Sequence, residues 1–217
     1  MEFIPLEYQE QYAQILSYIN AYKNGVTSDT MSSYGIVYEK NYGVSMIDLK
    51  RIAERYRKDS SLAKILWNKG WRETFILSTL IDEPEKYSLE LFEVKVESAP
   101  TLEILEQLAY NLAWKLDFLD LMFERVTDWS ATPIQYFLLK VTTYQLMHKK
   151  ISPTEAWQRV SNYSYSENSA ILNVLQNLLL RITGSENSLH QNVIDYCAKQ
   201  DSEPWKMLTD VVREYGV

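Results

Sequence analysis

Along residues 41 to 56, NYGVSMIDLKRIAERY, the apolar positions Met46, Leu49, Ile52, Ala53 and Tyr56 recur every three or four residues. That spacing lays them on one face of a helix. Ser45 followed by Asp48 has the form of a capping box, with the carboxylate reaching back toward unpaired amides, so the pattern predicts an amphipathic helix over 45–57. Asp59 stands where a short helix carrying Leu62, Ile65 and Leu66 needs its cap, and Gly70 where a left-handed residue would end it. A third helix is predicted from Trp71 to Ile81.

The same grammar runs to the C-terminus. Pro84 suits the first turn of a helix extending to about Ser98, Pro100 and Thr101 punctuate before a helix from Leu102 to Leu116, and Pro133 opens one ending near His148. Ser152-Pro153 opens another. Ile171, Val174, Leu175, Leu178, Leu179 and Ile182 trace one face of a further helix that Gly184 is expected to stop, and two more follow around Val193 and Val211. No run alternates as a strand would. About a dozen short helices joined by tight turns predict an all-α fold of stacked hairpins, an α-solenoid, although no exact repeat period can be written and periodicity alone leaves an irregular all-α domain open.

Composition narrows the function classes. With 217 residues, 46% of them hydrophobic, the chain is long enough for a sizeable core. Its single cysteine, Cys197, excludes an internal disulfide. The start MEFIPLEYQE has neither a basic segment nor a long apolar one, and no apolar run approaches the roughly 20 residues of a bilayer span, so the expected location is cytoplasmic, without membrane association. The net charge of −7 argues against a simple polybasic nucleic-acid binder. The charge is uneven, however. Residues 1–75 hold ten Lys/Arg against nine Asp/Glu, and 76–130 hold four against twelve. Lys50, Arg51, Arg55, Arg57 and Lys58 cluster in the first part, with Lys64, Lys69 and Arg72 close behind, so a local basic face can coexist with an acidic average.

The succession YGVSMIDLKRIAERY, SSLAKILWNKGWRETFILSTLID and PEK resembles the entry region of the AlkD-like DNA alkylation repair family. In that pattern a Gly-Val and a Leu-Arg/Lys-x-Ile/Leu-Ala helix precede a Leu-Ala-x-x-Leu-Trp helix, a Gly, and a helix beginning near a Glu. The resemblance is close over residues 35 to 86 and rests beyond that on helix order and length. It implies a single domain over 1–217, with capping helices in 1–34 and HEAT-like repeat helices in 35–217. It also implies a curved superhelix whose concave face holds duplex DNA and, in active members, excision of cationic alkylated purines without a metal or other cofactor. Nucleic-acid contacts are then expected from Lys50, Arg51, Arg55, Trp71, Arg72, Gln135 and Lys140, in a monomer.

Breaking the glycosidic bond of an N-alkylated base builds positive charge on the sugar, which a nearby carboxylate stabilises, while aromatic faces stabilise the cationic base. By the resemblance, the carboxylate and an aromatic four residues before it belong on the helix in APTLEILEQLAYNLAW. Glu106 then stands at the carboxylate position, one methylene longer than the family's Asp, and Leu102 stands at the Trp position. The family's Arg falls near Gln135 and its second Trp near Asn173. Glycosylase activity is therefore expected to be weak or absent.

Plainer readings accompany each of these residues. Glu106 lies beside Glu103 on an acidic helix, and a solvated carboxylate accounts for it. Trp67, Trp71 and Trp114 sit at helical apolar positions and can serve as core. The Lys50–Lys58 charges can be a solvated face, and His148-Lys149-Lys150 places cations at the negative end of a helix. His190 has no second ligand-like neighbour and Cys197 is in register with apolar residues, so neither metal binding nor thiol catalysis is expected. Two function classes stand: a DNA-binding protein of the repair type, and a non-catalytic repeat scaffold that binds another protein, for which the acidic middle third would be an asset.

Overall fold

The computed structural model describes residues 4–126 and 131–216. Among the described residues there is no strand, and thirteen α-helices with three short 3-10 turns make up the regular structure. No helix among them is long and apolar enough to cross a membrane. Contacts divide the chain into two units, the first ending at Leu112 and the second beginning at Ala113.

In the first unit the helices are α1 (Leu6–Ala21), α2 (Gly25–Ser33), α3 (Met46–Ala53), α4 (Ser60–Lys69), α5 (Arg72–Ile81), α6 (Leu89–Glu97) and α7 (Leu102–Asn111). Asp59 caps α4 by accepting the Ser61 and Leu62 amides, and Gly70 at φ +74° ends it, as the sequence predicts. The turn sends α5 back antiparallel to α4. Trp67 meets Phe75 edge to face at 4.8 Å, and the Asp59 amide donates to Ile81 O at the far end. Helix α5 packs between α3 and α7. All three run parallel, because Arg72 at the start of α5 reaches both Val44 before α3 and Glu103 in the first turn of α7. At the other end, Asn111 of α7 donates to Thr79 of α5. The core is Leu49, Ile52, Leu62, Leu66, Ile76, Leu77, Ile104 and Leu108, each at most 1% exposed.

The second unit holds α8 (Leu119–Arg125), α9 (Thr132–Met147), α10 (Pro153–Ser161), α11 (Ser169–Ser185), α12 (His190–Ala198) and α13 (Glu203–Tyr215). Helix α11 packs against α9, α10 and α13. Helices α12 and α13 are antiparallel, with the His190 ring at the start of one bonded to Val212 O near the end of the other. Ser152 and Glu155 form a full capping box at α10.

Several boundaries differ from the expectation. The helix expected over 45–57 ends at Ala53. At its start, the Asp48 carboxylate accepts the Ser45 hydroxyl at 2.7 Å, not a free backbone amide, so only half of the capping box forms. The helix expected from Pro84 to Ser98 is a 3-10 turn, Pro84–Lys86, followed by a fresh start at Leu89. There Ser88 caps α6 and Tyr87 turns aside to donate to Asp82. The helix expected from Leu102 to Leu116 stops at Asn111 and gives way to a 3-10 turn, Ala113–Lys115. Gly184 does not stop α11, which continues to Ser185. Helix α8 was not anticipated.

Candidate nucleic-acid interface

The structure gathers Lys50, Arg51, Arg55, Trp71, Arg72 and Glu106 in the first unit and places Gln135, Lys140 and Asn173 in the second. Lys50 and Arg51 are exposed on α3 and Arg55 in the turn just after it, and the opposite face of α3 is sealed by the buried Leu49, Ile52 and Ala53. Lys50 Nζ stands 5.4 Å from the Tyr110 ring centroid of α7, and Arg55 lies 4.6 Å over Tyr18. Arg51 makes a 3.4 Å pair with Asp48, and at that exposure the pair contributes little stability.

Tyr110 links the basic face to the candidate carboxylate. Leu102, Glu106 and Tyr110 follow at four-residue spacing on α7 and therefore share one side of the helix, with Lys50 seated at its last member. Leu102 and Glu106 are half-buried. This side combines a carboxylate, an aromatic ring and the Lys50 ammonium.

Arg72 is placed differently. It is 5% exposed and lies between two carboxylates, with Nη2 2.7 Å from Glu103 Oε1, Nε bonded to both Glu103 oxygens, and Nη1 donating to Val44 O and to Glu73. Burial alone would lower its pKa, yet Glu103 and Glu73 hold it above the ordinary arginine value. Glu73, with no exposed surface, also accepts the backbone amides of Tyr42 and Val44. Tyr38 donates to Glu103 and shares a 2.7 Å hydrogen bond with Thr101. Burial, then the bond to Glu103, push its phenol well above the ordinary tyrosine range. This network fixes the loop before α3 and sets where its basic face begins.

Gly43 completes that loop at φ +69°, so close to α2 that a Cβ would lie 2.1 Å from Asn24 O. Trp71, half-buried at the turn into α5, contacts the Tyr42 ring at 5.3 Å and has Lys40 and Lys69 over it. In the second unit, Gln135 is 2% exposed and its amide is bonded at both ends, to Ser164 O and from Ser166 N. Lys140 is half-buried with Nζ 5.4 Å from the Tyr136 ring, and Asn173 is exposed on α11.

Tyr18, Tyr110, Lys40 and Tyr42 were missed by the sequence reading. Tyr110 could have been found from its spacing to Glu106. The loop residues Lys40 and Tyr42 carry no periodic signal.

A family model described as DNA alkylation repair enzyme matches residues 15–137. Among solved structures, the chain is similar to a protein described as belonging to "a new family of proteins related to the HEAT-like repeat DNA glycosylases with affinity for branched DNA structures". That likeness has 14% sequence identity, covers 94% of this chain and 95% of the other, and reaches a TM-score of 0.68. At that identity it carries the fold, an all-α HEAT-like repeat architecture. No curated protein matches. With more than half of its length matched, the chain belongs to the DNA alkylation repair enzyme family.

Proposed function

We propose that this protein binds DNA through the first unit, on the surface formed by Lys50 and Arg51 of α3, Arg55 just after it, and the Glu106–Tyr110 side of α7. The observation that carries the reading is the exposure of those three cations, with Lys50 beside the Tyr110 ring on the side of α7 that also carries Glu106. Cations of this kind neutralise phosphates, which supplies affinity without sequence preference. Family membership favours a DNA substrate, and the structural relative's affinity for branched DNA makes a junction a ligand to test beside alkylated duplex.

In this reading the protein acts as a monomer in one repeat domain, and N-alkylpurine excision is slow or absent. The carboxylate at Glu106 works without an aromatic at position 102, and Gln135 supplies no positive charge. Arg72 is a positioning residue, which holds the start of α3 in place. The test is fluorescence anisotropy with labelled duplex and four-way-junction DNA at low salt. The expected result is micromolar or weaker binding that falls steeply with salt and is reduced by Lys50→Glu, Arg51→Glu and Arg55→Glu together. Absence of binding, or binding indifferent to those reversals, overturns the proposal. A basic protein ligand would then be the next partner to test, given the acidic residues 76–130 and the exposed Leu91 and Val94 of α6.

A further inference from the structure

The turn between α4 and α5 carries a group of side chains that the α3 surface does not include. Lys40 Nζ lies 4.2 Å and Lys69 Nζ 4.6 Å from the Trp71 ring, and Lys40 is also 4.8 Å from Tyr42. Two like charges therefore gather on one indole. A ring face attracts each ammonium, but it does not cancel the repulsion between them.

Surface lysines ordinarily swing apart or pair with a carboxylate. Among the described residues neither Lys40 nor Lys69 makes an ion pair. The nearby carboxylate is Glu39, one oxygen of which lies 3.8 Å from where a Cβ on Gly70 would stand.

The base of the group is rigid. Lys40 O accepts the Arg72 amide at 3.0 Å, the Tyr42 amide donates to the fully buried Glu73, and the Trp71 amide donates to Thr74 Oγ1 at 3.2 Å. The cations are carried on long side chains, while the backbone beneath them is tied down. That combination suits an anion that bridges two ammonium groups, since it relieves their repulsion at little ordering cost.

We propose that Lys40 and Lys69, converging on Trp71, bind a phosphodiester of the nucleic-acid backbone, a contact additional to the α3 surface. The inference rests on the DNA-binding reading above and extends it to the opposite end of the α3 helix from Arg55. The Trp71 ring makes the contact visible, because an anion drawn to the two lysines changes the environment of its indole.

The experiment measures binding of a labelled duplex of about 20 base pairs over a salt series, with wild type, the Lys40→Gln/Lys69→Gln pair and the α3 triple reversal. Each lost phosphate contact lowers the slope of log affinity against log salt by about 0.9. The glutamine pair, which removes one bridged phosphodiester, is therefore expected to lower it by about 0.9, with helix content unchanged. An unchanged slope in the glutamine pair, while the α3 reversals still weaken binding, overturns the subsite and leaves the DNA-binding reading intact. If wild type fails to bind at low salt, both fall. Should the glutamine pair fail to fold, tryptophan emission decides. A change on titrating wild type with duplex that is lost in Trp71→Phe supports the subsite, and no difference between the two overturns it.

Discussion

Replacing Arg72 with methionine tests whether this arginine is structural or a phosphate contact. The substitution keeps an unbranched chain of similar reach and removes the guanidinium from between Glu73 and Glu103. It deletes the bonds to Glu103, Val44 O and Glu73, and leaves a fully buried carboxylate at Glu73 facing another at Glu103. Removing one partner of a buried ion pair costs about 3–5 kcal/mol, whereas an exposed pair such as Arg51–Asp48 is worth about 0–1. With a urea dependence of about 1–3 kcal/mol per molar, the unfolding midpoint should fall by roughly 1–5 M. Adding Glu103→Gln to Arg72→Met should restore part of the loss, because it removes one of the two opposed charges while Glu73 keeps the Tyr42 and Val44 amides. The measurement is circular dichroism at 222 nm in a urea titration, paired with DNA anisotropy on the folded protein. If Arg72→Met costs under about 1 kcal/mol and instead lowers DNA affinity and salt slope, the clamp is an incorrect reading and Arg72 faces a phosphate.

Gly43→Ala should cost more than Gly35→Ala. Both sit at positive φ, worth about 1–2 kcal/mol for any L side chain, but only at Gly43 would the new methyl strike backbone, 2.1 Å from Asn24 O, while Gly35 faces open space. Equal losses by urea titration would show that the packing of α2 on this loop is loose. Lys95, buried against Asp82 at 2.8 Å and 4.5 Å from the Trp67 ring, has its pKa lowered chiefly by burial, with Asp82 pulling it back. A lysine with a lowered folded pKa disfavours folding while it is charged, and that cost fades as pH rises from the folded pKa toward the ordinary 10.5. Stability of wild type relative to Lys95→Met should therefore rise over the upper part of that window, and a difference that is flat or falls up to pH 10.5 would contradict the assignment. For chemistry, release of bases from methylated duplex should not exceed the spontaneous background by more than a small factor, since losing one preorganised group typically costs about 2.7–4 kcal/mol of transition-state stabilisation. Rapid release abolished by Glu106→Gln would overturn that expectation and place the Glu106 carboxylate at the reaction.

Caps and turns were the legible part of this fold. Asp59, Gly70, Thr101 and Ser152 act where their chemistry places them, because each satisfies backbone groups within three or four residues of itself. The breaks at Tyr87 and Leu112 were not legible, because both depend on partners elsewhere. Tyr87 leaves the helical path where its hydroxyl reaches Asp82, itself held by Lys95. At the end of α7, Asn111 is fastened to Thr79, a bond between residues 32 positions apart. A helical pattern that continues through such a point gives no hint of the tertiary bond that ends it.

The candidate site divides along the same line. Charge is written in the sequence and burial is not, so Lys50, Arg51, Arg55 and Arg72 look alike until Glu103, 31 residues away, closes on Arg72. The same reasoning bears on placing a cation at position 135, near where the family resemblance expects an arginine. Gln135 is 2% exposed, and its two amide ends hold Ser164 O and Ser166 N in the loop before α11. An arginine there would keep a donor for Ser164 but lose the acceptor for the Ser166 amide, at about 1–3 kcal/mol, and would add an unpaired charge to a buried position. Gln135 is thus built into the packing of the second unit. A cation could stand at that place only with a rearranged 164–166 loop, so Gln135→Arg alone is expected to destabilise the second unit.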